Sequence, residues 1–212
     1  MTTFLLAFFT VACLHFLAVI SPGPDYVLVT RNALAYNREV AIYTALGIAL
    51  GIIVHASYCL FGLAIVIKQS LLLFNIIKLL GGLYLIYIGI KACLAKDHKT
   101  MATDEKPSIP PAISAKEAIK QGFFCNVLNP KVTLFFLGLF TLVIKPNTPW
   151  GIQIFYALWM MTVTFIWFSS LATLITHSAV RARIWRIQPM ITKIMGALLI
   201  IFGLNLIVFI KM

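Results

Sequence analysis

Ser21-Pro22-Gly23-Pro24-Asp25 interrupts an apolar run, residues 4–30, that would otherwise read as an ordinary membrane helix. Each proline lacks a backbone N–H and clashes with the carbonyl four residues earlier. The carbonyls of Ala18 and Ile20 therefore lose their helical partners. In hydrocarbon such a break persists only where protein, water or a ligand satisfies the freed groups. A carboxylate at that depth costs about 2.5–3.5 kcal/mol on insertion scales. A cost of that size marks Pro22, Gly23, Pro24 and Asp25 as candidate site residues.

Working outward, composition supports a polytopic membrane protein. The 212 residues are 61% hydrophobic and 11% charged, with a mean hydropathy of +0.99. Soluble domains are about half apolar and about a quarter charged. The net charge of +11 would suit nucleic acid, but the basic residues lie between apolar spans, where the positive-inside rule puts them. No nucleic-acid partner is expected. Cys13, Cys59, Cys93 and Cys125 fall within or at the end of apolar spans and form no CxxC pair. Neither a disulfide framework nor a zinc site is indicated. The first run has no basic leader region and no clear A-x-A site, so it reads as a retained helix.

A span needs about 20 apolar residues, and six runs qualify: 4–30, 40–67, 71–94, 122–144, 151–175 and 191–210. Residues 95–121 carry Pro107, Pro110, Pro111 and most of the acidic residues, and read as an exposed loop with one helical turn near 115–120. One side of the membrane receives Arg31, Arg38, Lys96, Lys99, Lys106, Lys116, Lys120, Arg181, Arg183 and Arg186; the other receives Lys68, Lys145 and Lys211. That imbalance places the loop in the cytoplasm and both termini outside. Trp150 and Trp185 sit at span edges, as interfacial anchors do.

The chain also repeats. A shift of 115 residues places Phe8-Phe9 on Phe123-Phe124, Lys78 on Lys193, Gly81 on Gly196, and Leu83 and Ile86 on Leu198 and Ile201. Three spans per half make the halves insert in opposite directions, the plan of secondary transporters whose substrate sits at broken helices between inverted repeats. The domains expected are 1–94, a loop at 95–121, and 122–212. The second half also opens on an interrupted helix, at Asn129-Pro130-Lys131. Pro22 would map to Leu137 under that shift, so the two breaks are not copies in sequence order. They do share a depth. Pro22 lies nine residues before Arg31 and Pro130 ten after Lys120, each roughly 14 Å from the cytoplasmic edge at 1.5 Å per residue.

Asp25 has three functional roles open: to bind an ammonium, to carry a proton, or to pair with Lys131. A structural role as cap of a half-helix starting at residue 26 is compatible with these. Lys131 can pair with Asp25, face a substrate carboxylate, or extend toward the cytoplasmic interface. Pro130 frees the carbonyl of Asn126, and the Asn126 and Asn129 amides both donate and accept. His15 and His55 lie mid-span, where each is either a proton relay or a neutral histidine bonded to a neighbouring helix. His98 and His177 read as incidental. Gly47 and Gly51, with Gly81, Gly82 and Gly89, read as helix-packing positions. Tyr84, Tyr87 and Asn205 are cavity-lining or packing residues. No GxxxxGK[ST] loop, paired carboxylates, serine elbow or HExxH occurs, so neither primary active transport by this chain nor enzymatic hydrolysis is expected, and no cofactor is implied.

These motifs resemble those of the lysine exporter (LysE) family, and within it the homoserine/threonine exporter branch (RhtB type). The resemblance rests on Ser21 to Asp25, on Gly81-Gly82-Leu83-Tyr84-Leu85, and on Asn129-Pro130-Lys131 with Phe135-Phe136. It covers essentially the whole chain. It implies an inner-membrane exporter of amino acids driven by proton exchange, with the two breaks as the site; the outward direction comes from the resemblance. The reading is an all-α protein of six spans in two inverted halves, exporting a small zwitterionic amino acid against protons within membrane lipid, with homo-oligomerisation open. Two alternatives remain. One is a thiol-disulfide electron conduit using Cys13 and Cys125. The other is a channel or metal-ion exporter, for which only Cys13, His15 and Asp25 lie near one another in sequence.

Overall fold

In a computed structural model the chain is described over residues 2–69, 71–94, 113–143 and 148–208, and these are helical apart from short connections. The order is α1 (Thr2–Ile20), α2 (Pro24–Ala35), α3 (Arg38–Gln69), α4 (Leu71–Cys93), α5 (Ala115–Val127), α6 (Pro130–Val143), α7 (Trp150–Ile175) and α8 (Ser178–Val208). Among the described residues, α7 and the Arg38–Cys59 part of α3 are each long and apolar enough to cross a membrane. Two bent pairs each supply a further candidate span: Leu5–Ile20 with Pro24–Ala35, bent by 52°, and Ala115–Val127 with Pro130–Phe140, bent by 56°. Shorter apolar helices run through Leu79–Cys93 in α4 and Thr192–Asn205 in α8.

Both bends have the same local cause. Helices α2 and α6 each open on a proline, Pro24 and Pro130, whose missing N–H costs nothing in the first helical turn. Before Pro24 the N-cap position is taken by Gly23, with extended φ and ψ. Asp25 therefore lies inside the first turn of α2, and the capping alternative is not the one adopted. A carboxylate there is favoured by the positive end of the helix dipole. Before Pro130 the cap is Asn129, whose Oδ1 accepts from the Lys131 backbone N–H at 3.0 Å.

The helical turn expected near 115–120 is present and is longer, running unbroken into the apolar stretch expected from 122. Helix α5 begins at Ala115, so the C-terminal end of the loop expected over 95–121 is helical. The reason is a capping box, Ser114-x-x-Glu117: the Ser114 hydroxyl accepts from the Glu117 N–H at 3.2 Å. Residues 95–112 lie outside the described residues, as do the side chains of Lys68, Lys96, Lys99, Lys106, Lys145, Arg181, Trp185, Arg186 and Lys211, on which much of the orientation count rests.

Glycines set the closest helix contacts. A Cβ at Gly47 would overlap the Ile119 carbonyl, and one at Gly122 would overlap the Thr44 carbonyl, so α3 and α5 touch backbone to backbone. Helices α4 and α8 do the same through two reciprocal pairs: Gly82 against Gly203, and Gly89 against Gly196. Small residues drive such contacts in lipid, where no hydrophobic force separates helix from tail. The apolar core holds Val11, Leu14, Ile52, Phe135, Phe136, Met160 and Leu199. A second cluster joins α2, α3 and α7 through Val29, Ile48, Phe168 and Ile175. Residues of both clusters border a cavity that six buried polar residues also line: His15, Ser21, Asp25, Asn126, Asn129 and Thr164.

Candidate functional site

Asn126, in the last turn of α5, is the hub of the site. Its Nδ2 donates to Asp25 Oδ2 at 2.8 Å. Both residues are buried, Asn126 at 1% and Asp25 at 7% exposure. Its backbone carbonyl, which Pro130 deprives of a helical N–H, accepts from the Asn129 N–H at 3.0 Å and lies 3.0 Å from His55 Nε2. A carbonyl only accepts, so His55 Nε2 carries the proton; in the neutral ring Nδ1 then accepts from the Tyr58 hydroxyl, 2.6 Å away. His55 thus stands behind the site and supports Asn126. Gly51 makes room for this arrangement: a Cβ there would sit 2.5 Å from Asn126 Oδ1 and 2.9 Å from Asn126 Cβ.

Lys131 crosses to the other break. Its Nζ donates to the Ser21 carbonyl at 2.8 Å, with longer contacts to the carbonyls of Ala18 at 3.4 Å and Pro22 at 3.5 Å. Ala18 is the residue whose carbonyl Pro22 leaves without a helical donor. The cation of the second half thereby satisfies the broken backbone of the first. Of the alternatives for Lys131, extension to the cytoplasmic interface is not the one adopted, and its hydrogen bonds go to carbonyls, none to Asp25. Gly23 permits the approach, since a Cβ there would lie 3.3 Å from Nζ.

These groups line a cavity of about 40 Å³ between the two bends, bounded by His15, Gly23, Asp25, Asn126, Asn129 and Lys131 among others. The volume holds about three waters. Asp25 Oδ1 and Asn126 Oδ1 are buried there without hydrogen-bond partners, so the site has acceptors to offer. His15, 1% exposed, borders the same cavity and meets Thr164 Oγ1 at 3.2 Å through Nε2. Of the residues picked from sequence, Pro22, Pro24 and Pro130 shape the breaks without bordering the cavity, and His55 acts from behind Asn126. Tyr87 and Asn205 are exposed; Tyr84 packs against Tyr87. His177 is exposed, and His98 lies outside the described residues. The four cysteines are free thiols. Among the described residues no group of three or more His, Cys, Asp or Glu side chains could hold a metal ion.

Sequence reasoning passed over several participants. Ser21 enters through its backbone. Thr164 is one of three threonines in the apolar helix α7, beside Thr162 and Thr173, and Tyr58 follows His55 by three residues, one helical turn. A second buried polar group was also missed: Asn32 Nδ2 donates to Thr44 Oγ1 at 2.9 Å and to Gln121 Oε1 at 3.3 Å. It ties α2 to α3 and α5. The i, i+4 spacing of neighbours on α2 and α3 carried no signal for a contact 89 residues apart.

Paired broken helices around a cavity bearing a few buried polar groups are an arrangement found in membrane transporters. The chain belongs to the LysE-type translocator family, whose model matches residues 16–209, a family of transporters and not of enzymes. It is 35% identical to a threonine efflux protein of Salmonella typhi over 96% of this chain and 98% of that one. It is 33% identical to a threonine efflux protein of Escherichia coli K12 with the same coverage, and 32% identical to the uncharacterized membrane protein YrhP of Bacillus subtilis over 95% of this chain and 97% of that one. No solved structure matches the chain significantly.

Proposed function

We propose that the chain is a secondary transporter of the bacterial inner membrane that exports a small neutral amino acid of the threonine or homoserine kind in exchange for protons. The observation that carries this reading is the cavity that Asp25, Asn126 and Lys131 line together at two broken helices. An acid, two amides and a lysine suit the two charged ends of a zwitterion. Asp25 takes the proton or the ammonium. Asn126, Asn129 and Lys131, with the N-terminal turns of α2 and α6, face the carboxylate. The relatives named threonine efflux proteins support the substrate class and the direction.

In this reading α4 and α8 complete six spans, arranged as inverted halves at 1–94 and 122–212, with a cytoplasmic loop and both termini periplasmic. Two features support it. Both broken spans restart on a proline. The glycine contacts of α4 and α8 are reciprocal, Gly82 with Gly203 and Gly89 with Gly196, as a two-fold axis between them requires. That axis pairs residues 114 apart, close to the 115 read from sequence. The test is an efflux and growth-tolerance screen across amino acids in cells overproducing the protein, with and without a proton uncoupler. Uncoupler-sensitive efflux of a small neutral amino acid is expected; efflux indifferent to the uncoupler contradicts antiport, and efflux of no amino acid contradicts the substrate class.

A further inference from the structure

We propose that His15 and Thr164 form a side-chain subsite that selects substrates bearing a hydroxyl group; this rests on the amino-acid export reading. The cavity has two polar regions. One is the zwitterion end at Asp25, Asn126, Asn129 and Lys131. The other is the His15–Thr164 pair, contributed by α1 and α7. The rest of the lining is largely apolar, with Val19, Ile52, Val132, Phe135, Phe136 and Phe168.

Both residues of the pair are 1% exposed, and His15 Nδ1 is buried without a hydrogen-bond partner. An orphaned polar atom in a wall of this kind is costly unless something bonds to it. Either tautomer leaves it useful. If Nε2 donates to Thr164, Nδ1 accepts from a hydroxyl; if Thr164 donates to Nε2, Nδ1 donates to one. Trp159 packs edge-on to the imidazole, with centroids 5.8 Å apart, and holds the ring.

The spacing fits a small hydroxy amino acid. Ser21, whose carbonyl holds Lys131 Nζ, follows His15 by six residues, a backbone rise of about 9 Å at helical pitch. A threonine-like ligand measures about 4 Å from carboxylate to hydroxyl oxygen. A hydrogen bond of about 2.8 Å at each end brings the total to a similar length. An apolar pocket barely separates a hydroxyl from a methyl, whereas a site with a buried polar group strongly rejects the isostere that leaves it unpaired. Valine is that isostere of threonine.

The test uses the full chain in proteoliposomes and compares threonine with valine transport for wild type, His15→Leu, Thr164→Val and His15→Gln. Wild type is expected to prefer threonine. The threonine-to-valine ratio is expected to fall about tenfold in His15→Leu and Thr164→Val, and to be largely restored in His15→Gln, which keeps a donor and an acceptor. Valine transport in the same vesicles reports that the variant is folded. For a variant inactive toward both, ligand-dependent thermal unfolding in detergent replaces transport: threonine but not valine raises the wild-type midpoint, and that difference vanishes in the variant. An unchanged ratio, an unchanged midpoint difference, or a wild type indifferent between the two amino acids overturns the subsite and leaves amino-acid export standing. A wild type that moves no amino acid overturns the export reading and the subsite with it.

Discussion

Gly51→Ala adds one methyl group, and two effects of opposite sign compete over it. In a helix interior the change is worth up to about 1 kcal/mol of added stability through propensity alone. Against that, the new Cβ would sit 2.5, 2.9 and 3.0 Å from Oδ1, Cβ and Cγ of Asn126. Rotating the amide cannot relieve this, because Cβ of Asn126 is itself too close; the residue must move by about 0.5–1 Å to regain ordinary contact near 3.5 Å. Overpacking of this kind costs about 1–3 kcal/mol. The displacement also strains the 2.8 Å bond from Asn126 to Asp25, a charge-assisted contact worth about 1.5–3 kcal/mol. The net effect is a loss of about 1.5–5 kcal/mol. Thermal unfolding in detergent and threonine efflux from proteoliposomes read it out together: the midpoint falls and efflux drops by tenfold or more. A variant as stable as wild type, or more so, with normal efflux refutes the claim that Asn126 is held in a tight seat between Gly51 and Asp25.

Two further predictions follow from the same geometry. Lys131→Met removes the donor to the carbonyls of Ser21, Ala18 and Pro22, and each buried carbonyl left bare costs about 1–3 kcal/mol; the variant is expected to insert, to melt lower and to lose export, and a normal midpoint counts against Lys131 as the partner of the first break. Gly47→Ala drives a Cβ into the Ile119 carbonyl, whereas at Gly151 nothing lies within 4 Å. Cooperative unfolding should therefore weaken sharply in Gly47→Ala and remain near wild type in Gly151→Ala; equal effects contradict the backbone contact of α3 with α5.

The breaks were legible because their chemistry is local. Pro22, Pro24 and Pro130 state directly where donors are missing, and Asp25 and Lys131 state where charge sits in an apolar run. Asn126 was marked by its freed carbonyl, and that carbonyl is the atom His55 meets. What sequence could not show was which side chain from the other half repairs each break. Lys131 reaching Ser21 spans 110 positions, and no pattern of spacing encodes such a pair. The helical turn expected near 115–120 is the start of α5; what went unread was the Ser114–Glu117 capping box, which joins that turn to the helix running on to Val127. Thr164 was invisible for a simpler reason: one hydroxyl in an apolar helix bonds the preceding turn as readily as a neighbour.

The central claim is that Asp25, held by Asn126 at the junction of the two bends, couples transport to protons. The most direct measurement is efflux of a loaded amino acid from proteoliposomes under an imposed pH gradient, wild type against Asp25→Asn. The substitution keeps an acceptor oxygen for Asn126 Nδ2 and removes the titrating charge. The variant is predicted to insert and unfold like wild type while losing gradient-driven efflux. Gradient-driven efflux at the wild-type rate in Asp25→Asn would contradict the account.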